Sequence, residues 1–331
     1  MNSFGRIFRA SIFGESHGAG IGVLIDGCPA GLPLAEEDLR RDLDRRRSGA
    51  PGTTPRREPD APQIRSGIFQ GRTTGAPILL IINNRDVDSR DYESMRWTPR
   101  PGHADFVAEK KYGGFHDYRG SGHFSGRLTA GLVMAGAVAR KLIRPVQVTA
   151  VLEEAGGFPQ IEEAVQDAVD NKDSIGGVVG CRVTGLPAGL GEPFFDSVES
   201  LMSHAVFAIP AIKGIEFGSG FRLARMRGSE ANDVILDAKG TTATNHAGGI
   251  HGGITNGNDL VFRVVVKPTS SIPREQRTVD MRTGQPAVLQ VEGRHDACIA
   301  LRMPVVVEAA TALVLADLMR VAGLIPPVVT E

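Results

Sequence analysis

Strand-length runs rich in Ile, Val and Phe, bounded by Gly, Pro or Asn, recur at about 5–13, 21–26, 64–69, 78–82, 146–152, 177–184, 211–217 and 260–267. Between them the apolar positions take a helical period at 35–47, 104–112, 125–143, 160–170, 198–207 and 304–322. The first of these helices opens with Glu36, Glu37 and Asp38 and closes with Arg45, Arg46 and Arg47, which complements the helix dipole before Gly49 stops it. Two of them, 125–143 and 304–322, are apolar around most of their circumference. Such helices are buried between layers rather than laid on a surface, so these two predict the central packing layer. No linker or low-complexity stretch divides the chain, and the pattern predicts one α+β domain over residues 1–331. The segment 48–62, rich in Pro, Gly, Thr and Arg, reads as a mobile surface loop and a candidate lid.

Charge narrows the function. A formal net charge of −1 argues against a general nucleic-acid or membrane-surface binder, because both need a basic excess. The arginines are nevertheless clustered, as Arg45 to Arg47, as Arg56 and Arg57, and as Arg96, Arg100, Arg119, Arg127, Arg294 and Arg302 in or beside the histidine-bearing segments. That placement suits a small polyanion. Cys28, Cys181 and Cys298 are too few and too dispersed for a zinc site or a disulfide framework, so no metal is expected and a reducing, cytoplasmic compartment is the simplest reading. The N-terminal apolar stretch carries Arg6 and Arg9 and meets Glu15, unlike a secretory leader. The C-terminal apolar run is interrupted by Glu308 and Asp317, so no bilayer span is predicted.

Every histidine except His204 lies within two residues of a glycine, which pairs a titratable ring with backbone that can approach a ligand closely. GESHG at 14–18 ends a strand and leaves Ser16 and His17 on a tight turn. RPGHADF at 100–106 places His103 directly before a helix, whose dipole favours neutral imidazole. YRGSGHFSGRLTAG at 118–131 runs into a small-residue helix whose first turn, with Arg119 and Arg127, suits an anion. NHAGGIHGG at 245–253 and KPTSS at 267–271 offer glycine backbone, one cation and three hydroxyls. GRHDAC at 293–298 sets Arg294, His295 and Asp296 before the second buried helix, and alternation would put Arg294 and Asp296 on one face. Each segment also has a plain structural reading, as a polar turn, a helix cap, a glycine loop or a surface ion pair. No GxGxxG opens a helix after a strand and no GxxxxGKS occurs, which disfavours Rossmann and P-loop nucleotide sites.

Taken in order, FGESHG, DLDRRRSG, RREPD, RPGHADF, YRGSGH, GLPAGLGEP, KGIEFG, NHAGGI, KPTSS and GRHDAC resemble the chorismate synthase family, from Phe4 to about Gly323. The resemblance implies helices sandwiched between antiparallel sheets, usually in a homotetramer. It implies a 1,4-elimination of phosphate and a ring proton from 5-enolpyruvylshikimate 3-phosphate, which requires reduced FMN without net redox change, and NADPH as a possible source of reductant. By motif, His17 would be the acid toward the departing phosphate and His103 would manage the proton balance of the reduced flavin. Asp296, with Ser16, would assist removal of the ring proton. FMN positions would fall at His123, Phe124 and Ser125, at Ala211, at Gly252, at Lys267, Pro268, Thr269, Ser270 and Ser271, and at Arg294. Arg46, Arg127 and Arg294 would take substrate or cofactor anions, and Arg46 would be the NADPH contact. The chain departs from the family in three places. Many members have Arg-Ser-Ser where His123, Phe124 and Ser125 stand, Asn-Ala where Pro210 and Ala211 stand, and a second arginine near Gly52.

Overall fold

The computed structural model describes residues 2–291 and 295–330. Two antiparallel sheets carry the chain. The first has the spatial order Ser3–Phe4, Arg9–Gly14, Gly20–Asp26, Ile78–Asn83, Gln63–Ile64, and the second Ile212–Phe217, Leu260–Val266, Gly177–Thr184, Gln147–Ala155. Alternation sets the inner faces, so that Ile78, Leu80 and Ile82 are fully buried from one strand and Leu260, Phe262 and Val264 from another.

The helix Thr129–Leu142 packs on the first sheet, the helix Met303–Val321 packs on the second, and the two pack on each other. Between residues 129 and 142 only Arg140 and Lys141 escape full burial, which is why the sequence reads as apolar on all sides. Close approach of the two backbones depends on small residues. A methyl group at Gly136 would lie 2.3 Å from the Ala309 Cβ. The segment Ile299–Val321 is long and apolar enough for a membrane span by composition, but its apolar surface is taken up mostly by protein. The helix Glu36–Arg46 rests against both inner helices, and Val198–Phe207 against the longer one.

Charges within these layers are paired. Glu308 on the long helix accepts both Arg45 Nη groups at 2.6 and 2.9 Å and the Ala150 N–H at 2.9 Å. Asp317 accepts the N–H groups of Arg6, Ile7 and Phe8 at 2.9, 2.8 and 2.9 Å. This carboxylate is the reason the expected strand 5–13 is broken, since the three amides turn to the helix instead of a neighbouring strand. The expected strand 64–69 also divides, and Ile68–Phe69 pairs instead in a small hairpin with Arg72–Thr73. A further hairpin, Glu275–Val279 with Pro286–Gln290, is absent from the hydrophobic pattern because most of its residues face away from the core.

The segment 48–62 is irregular, as its composition implies, and it forms a wall tied to the chain at residues 297 and 298. Ala297 and Cys298 donate their N–H groups to the Gly52 carbonyl at 2.8 and 3.1 Å, and the Glu58 and Asp60 side chains are buried.

Candidate active site

Beside this wall lies a cavity of about 770 Å³. It is bounded by the turn after the strand Arg9–Gly14, the end of the helix Glu36–Arg46, segment 54–60, loop 100–104, the turns ahead of both inner helices, residues 207–213 and residues 267–271. Both inner helices therefore start at the cavity, and their positive dipole ends favour an anion there.

In one corner Ser16 is fully buried. Its N–H donates to the Gly122 carbonyl at 3.0 Å, and its Oγ and carbonyl accept from Arg56 at 2.9 and 3.1 Å. Glu58 steadies the same guanidinium at 2.7 Å. His17 Nδ1 lies 2.8 Å from the Ser89 Oγ, and the ring stands edge-on to Tyr92 with centroids 5.1 Å apart. The other side of the ring faces Gly120, in left-handed backbone at φ +57°, where an added Cβ would lie 2.2 Å from His17 Cδ2 and 2.5 Å from Nε2. Only glycine allows the chain to pass so close to this imidazole.

The cavity floor is cationic. Arg46 and Arg127 grip Asp60 from two sides, Arg46 Nη2 at 2.7 Å from Oδ2 and Arg127 Nη1 on Oδ1. Arg127 Nε donates to the Asn84 Oδ1 at 3.1 Å, and the Asn84 amide donates to the Glu15 and Gly18 carbonyls, which ties this floor to the histidine turn. Burial pushes the Arg46 guanidinium down to about 10 against the pull of Asp60. Burial pushes the Asp60 carboxyl up, but the two guanidiniums outweigh it and hold it below the usual carboxylate range. Arg46 Nε, Arg56 Nε, Arg127 Nη2 and Arg302 Nε are buried without a hydrogen-bond partner, and all four residues line the cavity. Buried donors normally find acceptors, so these fit an anionic ligand.

His103 also lines the cavity, beside Ser121, the residue after Gly120. Its Nδ1 lies 2.6 Å from Asp105 Oδ1, and Arg100 grips the same carboxylate through Nε and Nη2 at 2.8 and 2.7 Å. Burial pushes the imidazole below its ordinary value, and Arg100 and Lys267 add to this while Asp105 opposes it. The net direction favours the neutral imidazole. Lys267 Nζ donates to the Gly102 carbonyl at 3.0 Å and to Ser270 Oγ at 2.7 Å, while Thr269 Oγ1 is buried and unpaired. Ala211 is held at φ +75°, and its carbonyl accepts the Lys267 N–H at 2.9 Å. Along the third side, Asp296 accepts from Thr54 N at 3.1 Å and from Arg302 Nη2 at 2.7 Å. His295 donates through Nε2 to the Val291 carbonyl at 2.9 Å, and burial lowers its pKa.

Of the residues expected from the sequence, Ser16, His17, Arg46, His103, His123, Phe124, Ser125, Arg127, Ala211, Lys267 to Ser271 and Asp296 converge on this one cavity. Arg294 lies outside the described residues. Gly252 is not brought to the cavity; it turns the small hairpin between Ile250–His251 and Ile254–Thr255. Arg119 is likewise not brought to the cavity, and its guanidinium is turned onto Asp117 at 2.8 and 2.9 Å. The expected helix start at 125 is a 3-10 turn, Gly126–Leu128, whose Arg127 N–H is used by Ser125 Oγ at 3.3 Å. Asp60, Asn84, Ser89, Asp105, Gly120 and Ser121 are site residues that the sequence pattern does not single out. Asp60 and Asp105 carried a signal in RREPD and RPGHADF, each an acid a few residues from a clustered cation.

Imidazoles and carboxylates among buried guanidiniums, in a cavity at the head of two helices, make up the site of an enzyme acting on a small molecule. The chain belongs to the chorismate synthase family, whose model matches residues 8–320. It is 63% identical over 320 residues to the chorismate synthase of Chitinophaga pinensis, covering 96% of each chain. It is 48% identical to that of Dehalococcoides mccartyi, with both chains covered in full. A crystal structure of chorismate synthase superposes with a TM-score of 0.75 at 28% identity, covering 96% of this chain and 93% of the other.

Proposed function

We propose that this chain converts 5-enolpyruvylshikimate 3-phosphate to chorismate, by 1,4-elimination of phosphate and a ring proton, as the cytoplasmic chorismate-forming step of the shikimate pathway. The observation that carries the reading is the set of unpaired, buried guanidinium donors on Arg46, Arg56, Arg127 and Arg302 around one cavity that also holds His17, His103 and Asp296. A substrate with two carboxylates and a phosphate supplies acceptors for such donors, which grip oxyanions bidentately and stay charged.

The residues also fit reduced FMN. Lys267, the buried hydroxyl of Thr269, and Ser270 and Ser271 offer a cation and donors to a phosphate, and His123, Phe124, Ser125 and Ala211 would flank the ring system. When bound, the reduced flavin supplies an electron-rich surface to the substrate ring. Arg46, Arg127 and Arg294 would hold the substrate anions. His17, on the Arg56 and Ser16 side, would deliver a proton to the departing phosphate. Neutral His103 would accept or return a proton at Nε2. Asp296, fixed by Arg302 and Thr54, would with Ser16 serve the departure of the ring proton. The wall formed by 54–60 would exclude water from the cavity. NADPH as reductant, a homotetramer and the sandwich of helices between antiparallel sheets belong to the same reading.

His17→Ala and His103→Ala should each lower kcat by about 10² to 10⁴-fold, the usual worth of a placed acid or base, with FMN binding largely kept. A folded variant with near wild-type kcat would refute the role given to that histidine.

A further inference from the structure

Arg100 is a hub beside His103. Its side chain is almost wholly buried, and its groups reach three elements. Its N–H and Nε donate to Asp105 Oδ2 at 3.0 and 2.8 Å, Nη2 donates to Asp105 Oδ1 at 2.7 Å and to Ser121 Oγ at 3.1 Å, and Nη1 donates to Ser271 Oγ at 3.0 Å. Asp105 Oδ1 then meets His103 Nδ1 at 2.6 Å, while Ser121 Oγ stands 3.2 Å from His103 Nε2. Ser121 is held there in left-handed backbone at φ +71°, a conformation a serine seldom adopts.

A carboxylate bound by a guanidinium can only accept, so His103 must carry its hydrogen on Nδ1. Ser121 Oγ already accepts from Arg100, so its own hydrogen is available to Nε2. Nε2 is then the basic atom of the ring. Arg100 Nη2 also lies 3.1 Å from Nδ1, and with Lys267 it opposes an imidazolium that Asp105 alone would favour.

We propose that Arg100 and Asp105 are positioning residues that fix His103 as the neutral Nδ1–H tautomer, with Ser121 relaying protons at Nε2. The inference rests on the assignment of His103 to proton transfer. An Asn at 105 can turn its amide to donate to Nδ1 and so transfer the ring hydrogen to Nε2, leaving the site shaped but wrongly protonated.

Nitrogen-15 NMR of histidine-labelled protein at pH 7, with His103→Ala to assign the signal, reads the tautomer without any substrate. Wild type should show His103 protonated at Nδ1 and bare at Nε2. Asp105→Asn should move the hydrogen to Nε2 and lower kcat by about 10² to 10⁴-fold with KM little changed. The double variant Asp105→Asn with His103→Ala should be no slower than His103→Ala alone. A wild-type His103 that is doubly protonated or protonated at Nε2 overturns the proposal even if Asp105→Asn does not fold. So do an unchanged tautomer in Asp105→Asn and additive losses in the double variant. Absence of chorismate formation in wild type would instead count against the proposed reaction, and would leave the NMR result standing.

Discussion

Gly120→Ala is a one-carbon perturbation aimed at His17. The new Cβ would lie 2.2 Å from the ring Cδ2, and ordinary contact begins at 3.4 Å, so ring or loop must yield by the difference, 1.2 Å. The ring has little room to do so, with Ser89 on Nδ1, Tyr92 against its edge and its residue buried. Misplacing a reacting group by about 1 Å can cost about 10²-fold in rate, or about 2.7 kcal/mol at 1.36 kcal/mol per tenfold. Left-handed backbone costs a non-glycine residue about 1–2 kcal/mol more, but that penalty falls on folding and not on turnover. Gly71→Ala separates the two effects, because Gly71 has φ +74° and nothing within 4 Å of its added Cβ. Both variants should lose the left-handed-backbone penalty in denaturant titration, and Gly120→Ala should lose more because its Cβ must also displace His17. Only Gly120→Ala should lose about 10²-fold in kcat in an anaerobic assay with reduced FMN. In a His17→Ala background it should have little further effect. Near wild-type kcat in folded Gly120→Ala would mean that the position of His17 does not govern the reaction.

Asp60→Asn removes the charge shared by Arg46 and Arg127, and breaking such a buried pair should cost about 3–5 kcal/mol, measured by denaturant unfolding. Because the Asp60 and Asp105 carboxyls are held below their unfolded value, their stabilisation is complete above that value, near pH 4, and is lost as pH falls through the lower folded values. Acid titration of stability should therefore show a shallower loss for Asp60→Asn than for wild type. Asp317→Ala should destabilise by about 1–3 kcal/mol or more by stranding three amides, and hydrogen exchange at residues 6–8 should accelerate. Burial pushes the Cys28 and Cys181 thiols up to about 12, so a thiol reagent at pH 7.5 should label neither until the chain unfolds.

The layers were legible in the sequence wherever one physical rule acted alone. Strands such as Gly177–Thr184 and Ile212–Phe217, and the two inner helices, follow from apolar period and length. The rule failed where a distant group overrode local pattern, as where the Asp317 carboxylate takes the amides of residues 6–8, more than three hundred positions away. The same holds for the site. Motif order brought the histidines and KPTSS to notice, and the fold gathers them into one cavity. What made segment 48–62 a wall was invisible, because Asp60 meets an arginine 67 residues on and Thr54 meets a carboxylate 242 residues on. Composition reports that such a segment lacks regular structure; it does not report what the segment binds. Arg119 shows the converse, a cation in a promising motif that a nearer aspartate claims.

The proposed elimination needs reduced FMN and does not consume it. Under anaerobic conditions, with 5-enolpyruvylshikimate 3-phosphate and chemically reduced FMN, phosphate and chorismate should appear in equal amounts over many turnovers while the flavin remains reduced. Turnover with oxidised FMN alone, phosphate without chorismate, or one flavin oxidised per product would contradict it.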